Sequence, residues 1–227
     1  ISGRVCHHSA AKWGEYGEGT PDYSAERTLV DIQDQLTVLD IEKFDVIFIH
    51  DPPEVGPALA PGGSVEGLEQ ARDLNLVDFI GFGMHPHLSH LAAIESGRVD
   101  VLLCFSDYNL LRQSASEDIL PAAVARDLGV LNGWSIMRGW LTGVPVERFV
   151  PRDRWEEDHQ RAEAMRLWCE EHGVELLDLA LQFCLREERI HGHPIGSLDI
   201  AQLERNVQAA STSIPDDVLT HFRSAAI

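Results

Sequence analysis

A histidine and an aspartate directly follow an apolar run in the stretch "KFDVIFIHDPP", residues 43–53. Val46 to Ile49 are typical of a buried strand, and His50 and Asp51 stand where that strand must emerge. Near neutral pH a histidine can move a proton or orient a substrate, which makes it useful at a strand end. The alternative is a histidine that caps the strand and bonds a loop carbonyl. Position alone leaves both interpretations open.

Other polar, aromatic and glycine residues stand at the predicted ends of further apolar strands. In chain order they are Arg4, His50, Gly83 to His85, Phe105 to Tyr108, Trp134 with Ser135, and Gly196 with Ser197. Because the carboxyl ends of parallel strands meet at one edge of a sheet, these residues are the candidates for a site. The stretch "CHH" at 6–8 has the atom types of a metal site. Adjacent histidines beside one thiol chelate poorly, so the sequence predicts loop residues and no metal.

The elements that must position these residues are short apolar strands alternating with amphipathic helices. The predicted strands cover 1–6, 45–50, 77–82, 99–105, 130–134 and 191–196. The predicted helices cover 24–39, a segment that opens at Ser64, 88–97, 117–129, 156–172, 174–187 and 199–210. Ser24 is placed to cap the first of these helices.

Six strand–helix units with nearly continuous apolar strands indicate a parallel α/β sheet covered on both faces. No G-x-G-x-x-G follows an early strand, so the fingerprint of an open dinucleotide-binding sheet is absent. A complete (β/α)8 barrel takes about 250 residues and eight units. The 227 residues therefore predict one barrel domain over 1–227 that lacks its first two units. Two open sheet edges would then remain, and we expect a longer natural protein or a covering partner.

The composition restricts the classes of partner. With 37 acidic and 18 basic residues the chain carries a formal charge of −19, which should repel nucleic acid and anionic lipid. No apolar run approaches the roughly 20 residues of a membrane helix. The four cysteines are scattered and indicate reduced thiols of a cytoplasmic protein. Nothing in the sequence indicates the oligomeric state.

Seven segments, taken together and in order, resemble the aldo-keto reductases, most closely the sugar-1-dehydrogenase branch of that family. They are "PDYSAERTLVDIQDQL", "FDVIFIHDP", "VDFIGFGM", "VDVLLCFSDYNLL", "ILPAAVARDLGVLNGWSIMRGWLTG", "CEEHGVELLDLALQFCLREERI" and "IGSLDIAQLERN". The resemblance implies a (β/α)8 (TIM) barrel that binds NAD or NADP in an extended pose. It also implies hydride transfer between that cofactor and the anomeric carbon of an aldose, or another small carbonyl or alcohol.

The same resemblance implies a catalytic Asp, Tyr, Lys and His. His50 matches the histidine, and Arg4 stands at the place of the lysine, where it keeps the positive charge but does not titrate. The Asp and Tyr are expected in the two missing units. Asp51 is expected to bind the substrate. Trp134 is expected to stack on a sugar face or on the cofactor ring, or else to be a barrel-rim aromatic. Tyr108 either lines the pocket or makes a structural hydrogen bond.

The segment "GSLDIAQLERN" is implied to hold the adenosine end of the cofactor. Gly196, Ser197 and the following helix N-terminus suit a pyrophosphate or ribose phosphate. Gln202 and Asn206, four residues apart on one helical face, match the family's adenine-side contacts. Ser135 is also assigned to the cofactor. Asp199 favours NAD and Arg205 favours NADP, so the choice between the two stays open.

A different class of function is a non-catalytic barrel that acts as a binding or assembly subunit. Arg4 in the lysine position favours this alternative. So does the nicotinamide pocket, where Gly83, Met84 and Phe105 stand at the places of the family's usual Ser, Asn and Gln. A third hypothesis is a lyase or epimerase that works without a cofactor and uses His50 and Asp51. No feature of the sequence favours it.

Overall fold

The computed structural model describes residues 1–5, 22–85, 87–145 and 156–225. Strands alternate with helices up to residue 133, and a series of helices follows. The strands are β1 (Ser2–Val5), β2 (Phe44–His50), β3 (Val77–Met84), β4 (Val101–Phe105) and β5 (Gly129–Gly133). The helices are α1 (Ala25–Leu39), α2 (Val55–Leu59), α3 (Ser64–Asp73), α4 (His87–Ser96), α5 (Ile119–Ala125), α6 (Glu156–His172), α7 (Leu176–Leu185), α8 (Ile200–Ser211) and α9 (Asp216–Ser224).

The five strands form one sheet in the order β1-β2-β3-β4-β5. The first three neighbouring pairs are parallel, with Arg4 beside Phe48 and His50 beside Gly83. The carboxyl ends of β1 and β2 therefore lie at the same edge, which brings Arg4 and His50 to neighbouring places. Ordering the strands by their sequence position is what simple strand–helix–strand connections produce.

The chain forms two compact units, the first comprising Ile1–Cys104 and Glu117–Leu131. In this unit alternate strand residues are buried against helices, as a sheet covered by helices requires. They include Ile47, Ile49, Ile80, Phe82 and Leu102. Helix α3 packs on β3, and α1 packs on α3.

Gly81 permits a close approach between β3 and β4. It pairs with Val101, and a Cβ at Gly81 would overlap the carbonyl oxygen of that residue. The chain needs a residue without a side chain there, because the two backbones are too close for any other.

The second unit comprises Phe105–Ser116 and Asn132–Ile227. Its helices α7 and α8 are in contact through a buried cluster of Leu177, Leu181 and Ala209. Ile136 and Ile195 pack against this cluster, so the loops after β5 and before α8 are attached to the same core. The prediction of a single domain over 1–227 stays a prediction.

The predicted strand at 191–196 is wrong. Within the described residues this stretch has only one bridging residue, Gly192, whose carbonyl accepts from the Asn132 amide at 2.9 Å. Pro194 lacks an amide hydrogen and cannot extend the pairing. The predicted helix at 117–129 is also too long, since it ends at Ala125 and Asp127 has a left-handed φ of 56°.

Helices α2 and α9 are absent from the sequence-based predictions, whereas the cap on α1 is confirmed. The Ser24 side chain accepts from the Arg27 amide at 3.2 Å. Helix α2 has five residues and contains a glycine and a proline, a composition that predicts a loop. In the described ranges no helix has both the length and the apolar character needed to cross a membrane.

Candidate active site

Arg4 and His50 contact each other at the ends of β1 and β2. Arg4 Nη1 lies 3.2 Å from His50 Nε2. A guanidinium can only donate, so Nε2 is the acceptor and the imidazole carries its proton on Nδ1. An Asp51 carboxylate oxygen lies 3.4 Å from the same nitrogen; that contact would need a proton on Nε2, and the shorter Arg4 contact favours a lone pair there. The His50 side chain remains about one quarter exposed, at 26%.

The backbone that carries His50 and Asp51 is fixed by hydrogen bonds from two sides. The Tyr23 hydroxyl donates to the carbonyls of His50 (3.1 Å) and Asp51 (3.0 Å). The Asp51 amide donates to the Gly83 carbonyl at 2.9 Å. Asp51 has a φ of 44°, a left-handed conformation that non-glycine residues seldom adopt without such support. The turn after β2 is therefore held in one geometry.

A cavity of ≈ 830 Å³ lies in the second unit, within the size range of small-molecule and cofactor sites. Its wall contains every residue that the sequence assigns to the cofactor, together with Trp134. These residues are Ser135, Gly196, Ser197, Gln202 and Asn206. The structure thus brings together six predicted site residues that come from two stretches far apart in sequence.

The loop before α8 is anchored to the helix by three hydrogen bonds. Asp199 caps α8 by accepting from the Gln202 amide at 2.8 Å. The Leu198 backbone amide donates to the Gln202 side-chain oxygen at 3.0 Å. The Asn206 side-chain nitrogen donates to the Ser197 hydroxyl at 3.1 Å. Gln202 and Asn206 do lie on the helix face that borders the cavity, as the four-residue spacing predicts.

Trp134 borders the cavity in a left-handed conformation, with a φ of 62°. Its ring lies 5.4 Å from that of Phe105, tilted by 57°. The guanidinium carbon of Arg138 lies 5.3 Å from the Trp134 ring centre, a cation–π distance. A bulky residue with positive φ is a marked backbone outlier, and such outliers are concentrated at functional sites.

Ser135 belongs to a buried hydrogen-bond network. Its hydroxyl lies 3.1 Å from His193 Nδ1 and accepts from the Asn132 side chain at 3.1 Å. The same Asn132 amide donates to the Tyr108 carbonyl at 2.8 Å. Burial lowers the pKa of His193, so this ring is a neutral partner in the network. The hydroxyl of Ser135 is thus engaged by protein groups, and its contact with a cofactor stays a prediction.

Tyr108 is buried and stacks on Phe183, with ring centres 5.4 Å apart. Burial, and next the Glu187 carboxylate, raise the pKa of its phenol to about 12. Tyr108 is not among the residues that line the cavity. A phenol held this firmly in its protonated form is unsuited to replace the family's catalytic tyrosine, and the geometry favours the structural alternative. Its predicted substrate contact stays a prediction.

Sequence reasoning missed Tyr23, Asn132, Arg138 and His193. The roles of Tyr23, Asn132 and His193 arise from contacts between residues far apart in sequence, as between Tyr23 and His50, and no spacing rule predicts such a contact. Arg138 lies only four residues from Trp134, in a loop without a periodic pattern. Within the described part of the chain, no three His, Cys, Asp or Glu side chains form a metal-binding group. The stretch "CHH" at 6–8 lies outside the described residues.

Residues 9–227 match the model of the Aldo/keto reductase family. The chain belongs to the aldo/keto reductase family. It is 24% identical over 213 residues to D-threo-aldose 1-dehydrogenase of Pseudomonas sp, covering 91% of this chain and 64% of the relative. It is 27% identical over 211 residues to L-galactose dehydrogenase of Arabidopsis thaliana, covering 89% and 63%. The predicted family resemblance is confirmed.

A third curated relative, pyridoxal 4-dehydrogenase of Microbacterium luteolum, is 26% identical over 217 residues, with 91% of this chain and 64% of the relative covered. The chain therefore spans a little under two thirds of the length of these relatives. The glycerol dehydrogenase AKR11B4 from Gluconobacter oxydans has a similar fold, with a TM-score of 0.76 at 17% identity over 97% of this chain and 70% of that one. This likeness confirms the α/β fold class of the aldo-keto reductase (β/α)8 barrel.

Proposed function

We propose that this protein is an oxidoreductase that moves hydride between a nicotinamide dinucleotide, NAD or NADP, and the anomeric carbon of an aldose or another small carbonyl or alcohol. The observation that carries the proposal is the cavity at the N-terminus of α8, whose wall contains all five residues assigned to the cofactor from the sequence. Family membership supports the same conclusion.

The described residues fit a dinucleotide. The cavity is large enough, and one of its lining residues, Arg205, has a buried nitrogen, Nη1, without a hydrogen-bond partner among the described residues. Gly196, Ser197 and the amides at the start of α8 are placed to hold phosphate groups, and Gln202 and Asn206 the adenine side. Trp134 offers a flat face for a ring. When bound, the dinucleotide supplies the hydride acceptor or donor.

His50 is proposed as the group that handles the proton on the substrate oxygen. Its Nε2 is an acceptor in the contact with Arg4. A substrate hydroxyl that took the place of the Arg4 N–H would present its proton to the same lone pair, as a general base requires. Arg4, displaced from Nε2, would then keep positive charge beside a developing alkoxide. Asp51, 3.4 Å from Nε2, is proposed to contact the substrate hydroxyls.

The named relatives support the proposed substrate class. Two of them are named for sugars and one for pyridoxal, and all three names refer to small polar aldehydes. An aldose is the first choice because two relatives agree on it. The charge of −19 argues against nucleic acid as a partner. Buried thiols at Cys169 and Cys184 are consistent with the proposed cytoplasmic location.

The test is turnover of a panel of aldoses with NAD and with NADP, for wild type and His50→Ala. If His50 handles the proton, the variant loses activity by about a hundredfold or more while cofactor binding, measured by tryptophan fluorescence, stays within about twofold. His172→Ala, which removes an exposed imidazole on α6, is the control and should keep the wild-type activity and cofactor affinity. Because this ring stacks on Trp168, each titration is normalised to its own starting fluorescence. Cofactor binding by neither form would contradict the proposal and leave the non-catalytic alternative.

A further inference from the structure

Among the described residues, Arg205 is the one cation on the α8 side of the cavity wall. Two carboxylates lie next to its guanidinium and offset its charge. Its Nη2 lies 2.6 Å from Asp178 on α7. Glu175, which precedes α7, lies 3.9 Å from the same nitrogen. The Asp178 side chain is only 12% exposed, so solvent screens this ion pair weakly.

A third carboxylate lies at the start of the same helix. Asp199 borders the cavity and caps α8 through the Gln202 amide. Three carboxylates therefore accompany one guanidinium at this end of the cavity, and the local field is negative. The other cation of the wall, Arg138, lies over the Trp134 ring in the loop after β5.

We propose that this site selects NAD and discriminates against NADP. The inference rests on the proposed function, which assigns the adenosine ribose to the α8 end of the cavity. The two cofactors differ there by a 2′-phosphate, which carries close to two negative charges at neutral pH. With Asp178 and Glu175 paired to Arg205 and Asp199 at the rim, that phosphate meets net negative charge. A neutral 2′-hydroxyl adds no charge and can still accept from an arginine N–H.

Asp178 and Asp199 are the residues that set this preference. Asp178→Asn should release the guanidinium of Arg205 for the phosphate. Asp199→Asn removes the rim charge while keeping a side chain that caps a helix equally well, so it changes the field without weakening α8. Glu175→Gln should have a smaller effect, because its carboxylate is farther from Arg205 and its side chain is 75% exposed.

The experiment is a titration of NAD and NADP into each protein at fixed ionic strength, read by tryptophan fluorescence and by calorimetry. Wild type should bind NAD at least about tenfold more tightly than NADP. Asp178→Asn and Asp199→Asn should each tighten NADP binding by about tenfold and leave NAD binding within about twofold. Asp217→Asn, the same charge change on an exposed residue of α9, is the control and should change neither.

The outcomes separate the two proposals. Equal affinity for NAD and NADP in wild type, or tighter NADP, overturns the selectivity while the proposed function stands. Binding of neither cofactor overturns both. If wild type prefers NAD but neither Asn variant shifts the ratio, the assignment of the preference to Asp178 and Asp199 is wrong. Circular dichroism checks folding, and should Asp178→Asn fail to fold, Asp199→Asn alone decides.

Discussion

Tyr23 connects the loop before α1 to the two residues that end β2. Its hydroxyl contacts the carbonyls of His50 and Asp51, and its own carbonyl accepts from the Ser64 hydroxyl at 2.8 Å. The residue therefore fixes the backbone from which the imidazole and the carboxylate project. A catalytic histidine needs this kind of support, because small errors in its position lower the rate strongly.

We expect Tyr23→Phe to lower the free energy of unfolding by about 1 kcal/mol, since two partly buried carbonyls lose a donor that they share. Activity should fall by more than the loss of folded protein accounts for, and the decrease should be in kcat rather than in KM. Urea unfolding and steady-state kinetics measure the two effects. Ser64→Ala, which removes the hydrogen bond to the Tyr23 carbonyl, is the matched control and should affect stability alone. A Phe variant with unchanged kcat would contradict the positioning role.

At the residue scale the sequence predicts where a residue lies in the fold better than what its side chain contacts. His50 lies at a strand end and Gln202 and Asn206 lie on one face of α8, where a spacing rule applies; Gly196 and Ser197 lie in the loop before that helix. The ion pair of Arg205 with Asp178 joins two different helices, and whether the guanidinium is available depends on that packing. The local pattern therefore leaves the choice between NAD and NADP open, whereas this packing supports the proposed preference for NAD.

Strands β3 and β4 approach each other so closely that one position excludes any side chain. Gly81→Ala would place a methyl group on the Val101 carbonyl, and we expect a loss of roughly 3 kcal/mol in the free energy of unfolding. Gly83→Ala, two residues along the same strand, has its nearest neighbour at 3.3 Å, in the flexible side chain of Leu103. This control should cost less than about 1 kcal/mol. Equal urea midpoints for the two variants would contradict this expectation, because the close approach at Gly81 would then have no specific effect on the free energy of unfolding.

Elements with strong periodicity are predicted well, and elements fixed by tertiary contacts are not. The α1 segment has a serine cap, which the structure confirms, and Ile32 and Leu36 of its apolar face are buried, whereas Leu39 is exposed. The stretch 191–196 cannot pair along its length, because Pro194 lacks an amide hydrogen. Helix α9 begins after a proline and presents Leu219 and Phe222 to the core. Two buried positions are too few for a pattern to predict it.

The stability of the whole molecule should depend on pH through His90, a fully buried residue of α4. Its Nε2–H donates to the Met84 carbonyl at 2.8 Å, and its Nδ1 has no hydrogen-bond partner among the described residues. Burial is the main cause that lowers the pKa of His90 from 6.5 to about 4. Between these values the unfolded chain binds a proton that the folded chain does not. Stability is therefore complete above pH 6.5 and decreases as the pH falls towards 4.

His90→Gln should reduce this acid sensitivity, because the glutamine amide can donate to the Met84 carbonyl and does not titrate. Wild type should lose about 3 kcal/mol more than the variant between pH 7 and pH 4. Urea unfolding at several pH values measures the difference, and other titrating groups cancel because both proteins contain them. Parallel pH profiles for the two proteins would contradict a buried neutral imidazole at this position.

The buried thiols have a consequence for how the motions of this protein can be observed. Burial raises the pKa of Cys169 and Cys184 to about 12, so at neutral pH neither sulfur is a reactive thiolate in the closed protein. Alkylation at these positions must wait until α6 or α7 opens. Cys104 is buried in the first unit. A pulse of an alkylating reagent, mapped by mass spectrometry, therefore times local opening in each unit without any introduced label.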